Sequence, residues 1–361
     1  MHRPSESPGH RPVFLAALAG ALFVTAAVIL ALVAILRDVR QPDVPPVALR
    51  MPFMASNAGR AVLLQTLEGH QEAVRDLAFS PDGEQLASSS FDGTVRLWQV
   101  GGESGDGHLV RVYGADGDPL RTVAFSPDGQ QLAAGSFHRK IYLWQVQTGA
   151  LQKVLEGQEG AINSIDFSPD GHLLASGSGD GTLWLWDIAQ DDPAHQALGG
   201  HPGGVMGIRF DPQGRLLASA SRDGTVRLWA ANNPVPQSSI LAGHRSWVYD
   251  AAFSPNGAAL ASASVDQTVR LWRFDDAQSS EILAGHQATV YSVDFSPNGE
   301  LLASSSADGT VRLWSVRETA ALARLPEHPG SVLSIAFSPD GQVLATATSE
   351  GIVRLWGVGK Q

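Results

Sequence analysis

Four side chains near the start of the repeated region have the residue types of a hydrolytic site. His70, Ser88 and Asp92, beside Trp98, include a base, a nucleophile and a carboxylate that could orient the base. Serine acyl transfer needs this arrangement once, in a cleft with an oxyanion site. Here the set recurs as His201, Ser219, Asp223 and Trp229; His244, Ser262, Asp266 and Trp272; His286, Ser304, Asp308 and Trp314; and His328, Thr346, Glu350 and Trp356. The repetition indicates architecture, and we expect no catalytic residue.

The same residue types can form an unbroken chain of hydrogen bonds. An indole N–H donates, a hydroxyl donates and accepts, a neutral imidazole does one at each nitrogen, and a carboxylate accepts. Buried networks of this kind rigidify a fold when every member is satisfied. The third copy has Gln158 in place of histidine, and the second keeps only Trp144, with Asp116, Ala134 and His138 at the other positions. We therefore expect the second copy to be the least rigid.

A repeat of about 43 residues must position these side chains. One tryptophan lies near the end of each copy, and successive ones are separated by 46, 42, 43, 43, 42 and 42 residues. They are Trp98, Trp144, Trp186, Trp229, Trp272, Trp314 and Trp356. Within one copy, the turn signals Ser80–Gly83 and Phe91–Thr94 divide short segments rich in β-formers. No interval holds a ten-residue helix. The sequence predicts seven stacked units of four antiparallel strands, an all-β fold.

These repeats resemble the WD40 family. The matching Gly-His pairs are at 69–70, 200–201, 243–244 and 285–286, the Asp-Gly-Thr turns are at 92–94, 180–182, 223–225 and 308–310, and Val-Arg-Leu-Trp occurs at 95–98, 226–229, 269–272, 311–314 and 353–356. Trp186-Asp187 alone spells the dipeptide that gives the family its name. The resemblance implies a seven-bladed β-propeller over residues 61–361. It also implies that the Trp–Ser–His–Asp network locks each blade.

The two ends of the repeated region predict how the ring closes. Few residues follow Trp356, so the last repeat lacks a fourth strand, whereas 61–67 is a surplus strand-like segment before the first repeat. Pairing the two would complete the seventh blade and remove an exposed sheet edge. We expect deletion of 61–67 to destabilise the ring.

The amino-terminal sixty residues predict a membrane anchor. After a short tail, 1–12, the run 13–36 has Thr25 as its one polar residue, and as a helix it would be about 36 Å long, enough to cross a bilayer core of about 30 Å. A signal peptide would be shorter and end in a cleavage site, and a core helix would need a partner domain. Residues 37–60 are Pro-rich and read as an extended linker whose apolar segment 51–54 could touch membrane or body. We expect one transmembrane helix.

The charged residues on the two sides of this span indicate its orientation in the membrane only slightly. Arg3 and Arg11 precede it and Arg37, Arg40 and Arg50 follow it, which is nearly balanced under the positive-inside rule. The acidic residues after the span favour an extracytoplasmic propeller.

Composition excludes several functions. The chain has no cysteine, so disulfides and thiolate chemistry are excluded, and the spacing of its histidines predicts no metal site. Residues 1–60 contain six arginines and three acidic residues, a net +3, so 61–361 carry −14 of the total −11. Such an acidic body lacks the basic surface that nucleic acid requires. No phosphate-binding glycine loop is present, and we expect no cofactor.

Positions that differ between copies are the candidates for binding. In the family that these repeats resemble, partners dock on the loops after Gly-His and before Asp-Gly. Aromatic and arginine side chains, which dominate interface energetics, occupy eight such positions: Arg75, Phe91, Arg121, Phe137, Arg222, Trp247, Tyr249 and Tyr291. Packing of Phe91 and Phe137 on their own loops, or simple solvation of Tyr291, is the alternative.

Two functions are compatible with these features. The first is a membrane-anchored, non-catalytic scaffold that binds a peptide or protein at the propeller rim. The second is an enzyme or small-ligand binder that uses the central channel. The second requires a cluster of non-repeated polar residues facing the channel, and no such cluster is evident from the sequence.

Overall fold

The computed structural model describes residues 51–359 except 101–106, 191–192, 232–237 and 275–279. The predicted tail 1–12, the predicted span 13–36 and the first part of the linker lie outside the described residues. The residues that are described form 28 β-strands and a 3-10 helix, Ala58–Arg60. No helix in this part of the chain is long and apolar enough to cross a membrane.

Seven four-stranded antiparallel sheets, here called blades, make up the body. Blade one contains β2 (Val74–Phe79), β3 (Gln85–Ser90), β4 (Thr94–Gln99) and β5 (His108–Gly114). Blade two contains β6 (Leu120–Phe125), β7 (Gln131–Ser136), β8 (Ile141–Gln145) and β9 (Leu151–Leu155). Blade three contains β10 (Ile162–Phe167), β11 (Leu173–Ser178), β12 (Thr182–Asp187) and β13 (His195–Gly200). Blade four contains β14 (Val205–Phe210), β15 (Leu216–Ser221), β16 (Thr225–Ala230) and β17 (Ser238–Ala242).

The remaining blades follow the same order until the last. Blade five contains β18 (Val248–Phe253), β19 (Ala259–Ser264), β20 (Thr268–Arg273) and β21 (Ser280–Ala284). Blade six contains β22 (Val290–Phe295), β23 (Leu301–Ser306), β24 (Val311–Ser315) and β25 (Ala320–Arg324). Blade seven contains β26 (Val332–Phe337), β27 (Leu344–Thr348) and β28 (Val353–Val358), and its outer strand is β1 (Ala61–Leu67). The seven-bladed propeller predicted from the sequence is confirmed.

The first strand of each blade, its inner strand, surrounds a central channel. Each inner strand packs against the inner strands of both neighbouring blades, and β26 packs against β2, so the ring is closed. The second strands, such as β19 (Ala259–Ser264), consist largely of alanine and serine, and every residue after the first of each strand is buried. Small side chains are needed there because both faces of the strand are covered by neighbouring blades.

Hydrophobic clusters between adjacent blades form the core. One of them joins Leu67 of β1 and Val353 of β28 to Leu86 and Trp98 of blade one. The strand β1 pairs antiparallel with β28, from Ala61 opposite Val358 to Leu67 opposite Val353, with a bulge between Leu63 and Gln65. One blade is thus assembled from the two ends of the repeated region.

Residues 51–60, which the sequence assigns to the linker, pack against the propeller. Phe53 is fully buried among residues of blades six and seven, and its ring meets Phe337 edge-on at 5.7 Å. Its backbone N–H donates to the Gly341 carbonyl at 2.8 Å. Met51 and Met54 are exposed. The apolar segment 51–54 therefore contacts the body through Phe53.

Candidate functional site

The repeated histidine, serine, aspartate and tryptophan form the predicted chain of hydrogen bonds inside each complete blade. In blade four, Trp229 Nε1 donates to Ser219 Oγ at 2.7 Å, the hydroxyl lies 2.7 Å from His201 Nε2, and His201 Nδ1 lies 2.8 Å from Asp223 Oδ2. A carboxylate can only accept, so Nδ1 carries the proton and Nε2 accepts from serine. With its hydroxyl bound to the indole at the centre of a buried sheet, the serine is a structural residue.

Blade three uses glutamine in the same place. Gln158 Oε1 accepts from Ser176 Oγ at 2.6 Å, and its amide donates to Thr182 Oγ1 at 3.1 Å. Trp186 still donates to Ser176, at 2.8 Å. An amide can both donate and accept, so the chain from indole to side chain is kept without a titratable group.

Blade two has a different polar cluster, which sequence comparison with the other copies missed. The buried Asp118, two positions after Asp116, lies 2.8 Å from His138 Nδ1 and accepts from Tyr142 Oη at 3.2 Å. Tyr142 stacks on Trp144 with ring centroids 5.6 Å apart. Asp118 escaped detection because it occupies a position that varies in the other repeats.

We expect blade two to exchange its amide hydrogens faster than blades four to six. Ala134 stands where those blades have a serine, so the hydroxyl that joins indole to imidazole is missing, and His138 is largely exposed. Local opening should therefore need less free energy. Hydrogen exchange followed by mass spectrometry, peptide by peptide, measures this difference. Equal protection in all four blades would show that Asp118 and Tyr142 replace the network fully.

Blade seven contains an incomplete network. Thr346 Oγ1 lies 2.9 Å from His328 Nε2 and accepts from Trp356 at 3.1 Å. The predicted fourth member, Glu350, does not complete it, because the buried His328 Nδ1 has no hydrogen-bond partner in the described part of the chain. Burial, and then the nearby Arg354, lower the pKa of His328 to about 4.

The change His328→Gln should remove an acid-sensitive contribution to stability. In the unfolded state this histidine has a pKa of about 6.5, whereas in the folded state it becomes protonated only near pH 4. Between these two pH values the unfolded state binds one more proton, so unfolding becomes progressively more favourable as the pH falls. Glutamine can accept from Thr346 as Gln158 does from Ser176 in blade three. The unfolding free energy of wild type, relative to the variant, should fall by on the order of 3 kcal/mol between pH 6.5 and 4. Parallel pH profiles in chemical denaturation would contradict this.

Four of the eight predicted rim residues form one cluster at the channel mouth. The guanidinium of Arg75 lies over the Phe91 ring at 5.2 Å, and that of Arg121 lies between Phe91 and Phe137, at 5.9 and 5.8 Å from their ring centroids. Phe137 is half exposed, so an aromatic face remains open beside the arginines. Phe91 is only partly exposed, and its contacts with two guanidinium groups are stabilising cation–π contacts.

The other four lie in two pairs further around the mouth. Arg222 lies over the Trp247 ring at 5.1 Å, and Trp247 is 44% exposed, an unusually high value for tryptophan. Tyr249 and Tyr291 meet edge-on with ring centroids 5.0 Å apart. Burial, and then Tyr249, raise the pKa of Tyr291, which keeps its hydroxyl protonated as a hydrogen-bond donor.

The channel below this mouth has a volume of about 340 Å³ and is lined by Arg75, Arg121, Tyr249 and Tyr291 among others. These four belong to the second position of the inner strands, where the buried first residue, such as Val74, packs between blades. The pairing of each of these strands is interrupted by a β-bulge between its first and third residues, so the bulged second residue turns toward the channel as the third does. The structure therefore joins residues from blades one, two, five and six at one opening.

The arginines at the mouth repel one another. Burial, followed by the charges of Arg75 and Arg222, lowers the pKa of Arg121 to about 10. Burial also lowers the pKa of Arg75. Among the described residues, none of the three lies within 4.0 Å of a carboxylate oxygen. The mouth is a local concentration of unpaired positive charge on an acidic protein.

A second set of charged residues lies deeper in the channel, and the expectation of no such cluster was wrong. Asp76 and Asp250 occupy the third inner-strand position, and Asp166, Arg209 and Asp294 the fifth. Each differs from most residues at the same place in other repeats. Aligning the inner strands residue by residue would have revealed them, because most other copies have serine or threonine at the third position and alanine at the fifth.

The carboxylates of this set join neighbouring blades. Asp76 Oδ2 accepts from Thr122 Oγ1 and from the Val123 N–H, both at 3.0 Å, and Asp250 Oδ2 accepts in the same way from blade six, at 3.0 and 3.1 Å. Asp166 and Asp294 accept from the N–H groups of Phe210 and Phe337, each at 2.7 Å. These bonds satisfy backbone groups that the blade sheets leave unpaired.

Among the described residues of blades four and five no side chain forms such a bridge, because the two inner strands lie too close for one. Gly207 occupies the third position of β14, and a Cβ built there would lie 2.8 Å from the Tyr249 carbonyl oxygen and 2.9 Å from the Asp250 Cα. A side chain at this position would force the strands apart.

Arg209 offsets part of the negative charge of this second set. It projects into the channel with its Nη1 4.0 Å from Asp166 Oδ1. Burial opposes its charge, but Asp166, Asp250 and Asp294 outweigh that effect and raise its pKa. Burial raises the pKa of Asp294 to about 6. In the described residues, no group of three or more acidic, histidine or cysteine side chains is arranged to hold a metal ion.

Comparison with known proteins assigns the repeats. A family model described as "WD domain, G-beta repeat" matches residues 61–99, 107–145, 149–187, 193–230, 236–273, 277–315 and 320–357. Similar proteins include the Notchless protein homolog of Arabidopsis thaliana, 64% identical over 36 residues, which cover 10% of this chain and 8% of that protein. Human Striatin-4 is 54% identical over 44 residues, 12% of this chain and 6% of its own length. The nuclear distribution protein nudF of Emericella nidulans is 36% identical over 77 residues, 19% of this chain and 17% of its own length. The chain therefore matches only a small share of these relatives.

Proposed function

This chain belongs to the WD40 repeat family, and on that premise we propose that it is a membrane-anchored, non-catalytic scaffold that binds a protein or peptide at the mouth of its propeller. One observation carries the proposal: the aromatic and arginine side chains that differ between repeats converge on one opening. The repeated histidine, serine, aspartate and tryptophan side chains, in contrast, form hydrogen bonds with one another inside the blades.

Support for a docking surface comes from the exposure of its aromatic residues. Trp247 and Phe137 expose 44% and 50% of their surface on the same side as three unpaired arginines. Large rigid side chains and forked donors provide binding energy at small entropic cost. Relatives such as Striatin-4 and Notchless share the repeat, and WD40 propellers generally bind proteins, which favours the same role here.

A photocrosslinking amino acid placed at Trp247 tests the proposal. In cells, irradiation should link the protein to a discrete partner that is not captured from position 274. Phe274 is similarly exposed (40%) but contacts Phe253 at the end of β18, whereas Trp247 precedes the start of that strand. The second variant Tyr249→Ala should abolish the same product. Identical products from both crosslinking positions would contradict docking at the mouth.

Anchoring is the part of the proposal that depends on residues outside the described range. The uninterrupted apolar run 13–36 supports it, and the charges around that run favour an extracytoplasmic propeller. The chain has no cysteine, so Ser239→Cys, at an exposed position of β17, would be a unique label site. In intact cells, a membrane-impermeant maleimide should label it. Recovery of the protein in the soluble fraction would refute the anchor, and labelling only after lysis would reverse the orientation.

Binding of a small ligand in the channel is the second candidate. Asp76, Asp166, Asp250, Asp294 and Arg209 form the non-repeated polar cluster that this function requires. Their oxygens are largely committed to bonds between blades, so the observation favours the scaffold. Saturable binding of a small molecule that survives Trp247→Ala but not Arg209→Gln would revive the channel function.

A further inference from the structure

We propose that the partner presents an extended peptide segment that carries one or a few aspartate or glutamate residues, and that one of their carboxylates lies between Arg75 and Arg121 at the channel mouth. This inference rests on the proposed function, because it names the chemistry of the partner bound at the same surface. It goes beyond that function in specifying the charge, the contact residues and the discrimination against other partners.

The unsatisfied Nε of Arg75 is the first argument. The buried Nε of Arg75 has no hydrogen-bond acceptor within the described residues. The Nε atoms of several other arginines also lack an acceptor, but Arg111, Arg227, Arg270 and Arg354 donate through their Nη groups instead. In contrast, no hydrogen bond among the described residues involves the Arg75 guanidinium. A carboxylate accepts two parallel bonds from a guanidinium and so satisfies such a donor set.

Nearby carboxylates of the protein cannot serve this purpose. Asp76 follows Arg75 in β2, but its Oδ1 accepts from Leu77 and Ser334 and its Oδ2 from Thr122 and Val123. Its two oxygens are therefore already used in joining blades. An anion that pairs with Arg75 and Arg121 has to come from outside the described part of the chain.

Mutual repulsion is the second argument. The charges of Arg75 and Arg222 act on Arg121 across the mouth, and three like charges held together at a half-buried surface destabilise the free protein. A carboxylate bound among them would relieve this repulsion as it formed its own bonds. Residues 61–361 carry a net charge of −14, so the positive mouth is surrounded by an acidic protein. A long polyanion would be repelled by that surrounding charge, whereas a partner with one or a few acidic residues fits the site.

The aromatic residues determine the kind of anion. Phe91 and Phe137 border the two arginines, and Tyr249 and Tyr291 face Arg75 from the other side of the mouth. An extended peptide can place apolar side chains on exposed rings while an acidic residue enters between the arginines. A free small anion would leave these rings without a partner, so the observations favour a protein segment.

An immobilised array of random decapeptides, probed with the full chain in non-ionic detergent, tests the inference. Bound peptides should be enriched in aspartate and glutamate, and binding of the strongest should fall at least about tenfold in Arg75→Gln and in Arg121→Gln. Arg317→Gln, at an exposed arginine between β24 and β25, is the matched control and should bind as wild type. Arg75→Glu combined with Arg121→Glu should shift the preference to lysine- and arginine-rich peptides. Melting temperatures of all variants show whether each is folded.

The outcomes separate this inference from the proposed function. Peptides that lack acidic enrichment, and that are lost in Trp247→Ala but not in Arg75→Gln, would overturn the acidic partner and leave docking at the mouth intact. An oligodeoxythymidylate of twelve nucleotides that competes as well as the best peptide would overturn the peptide assignment. Absence of any bound peptide, together with no specific crosslink from position 247, would overturn both proposals.

Discussion

Deletion of Ala61–Leu67 is expected to destabilise the whole propeller. The segment supplies the outer strand of blade seven, paired with β28, and buries Leu67 between blades seven and one. The loss should be at least about 4 kcal/mol, since burial of a leucine contributes about 2 and each backbone hydrogen bond about 1. It also exposes the edge of β28, which invites aggregation. Thermal and chemical unfolding of the full chain measure the effect.

The control for this deletion is a second one of the same length. Removal of residues 40–46, from the linker predicted by sequence, shortens the chain equally and should leave the melting temperature unchanged. A synthetic peptide with the sequence of residues 61–67 should restore part of the lost stability by pairing in trans with β28. An unchanged melting temperature after deletion of β1 would show that the ring does not depend on this pairing.

Phe53→Ala is expected to destabilise the propeller by about 3–5 kcal/mol, the range for truncating a buried phenylalanine. Phe53 is fully buried and contacts Phe337 in the cluster that also holds Leu301 and Val358, so its removal would leave a cavity between blades six and seven. Its neighbour Met54 is 37% exposed, and Met54→Ala is the matched control, expected to change stability by less than about 1 kcal/mol. Equal unfolding curves for the two variants would mean that residues 51–60 are not part of the cooperative unit.

The architecture was predictable because its signal is repeated. Each of the seven tryptophans marks the same hydrogen-bonded unit, because their spacing is nearly constant and Gly-His and Asp-Gly precede most of them at fixed distances. A copy whose sequence has diverged can therefore still be recognised by comparison with the others. Gln158 shows the limit of this reasoning. Its position predicted a departure from the network, but only coordinates show that its amide makes the bonds of the missing imidazole.

Features that occur once were much harder to foresee. Phe53 precedes the repeats and has no counterpart in them, so its burial depends on a slot formed by two distant blades. Asp166, Arg209 and Asp294 come from different repeats and meet only because the ring turns the fifth inner-strand residue toward one axis. The eight rim residues were predicted from the sequence, but their mutual contacts were not, such as the position of Arg121 between the rings of Phe91 and Phe137.

The pairing of β1 with β28 has a consequence for how the protein is made. Ala61 meets Val358, so a strand synthesised before the first complete blade has no partner until the ribosome has passed the seventh tryptophan. Contacts of such long sequence separation form slowly, although the entropy of closing the loop grows only modestly with its length. During that interval one strand edge and the inner faces of β2 and β26 are uncovered. The ring can therefore reach its native state only after translation of the repeats is complete, and its nascent chain depends on that last step being faster than association with other chains.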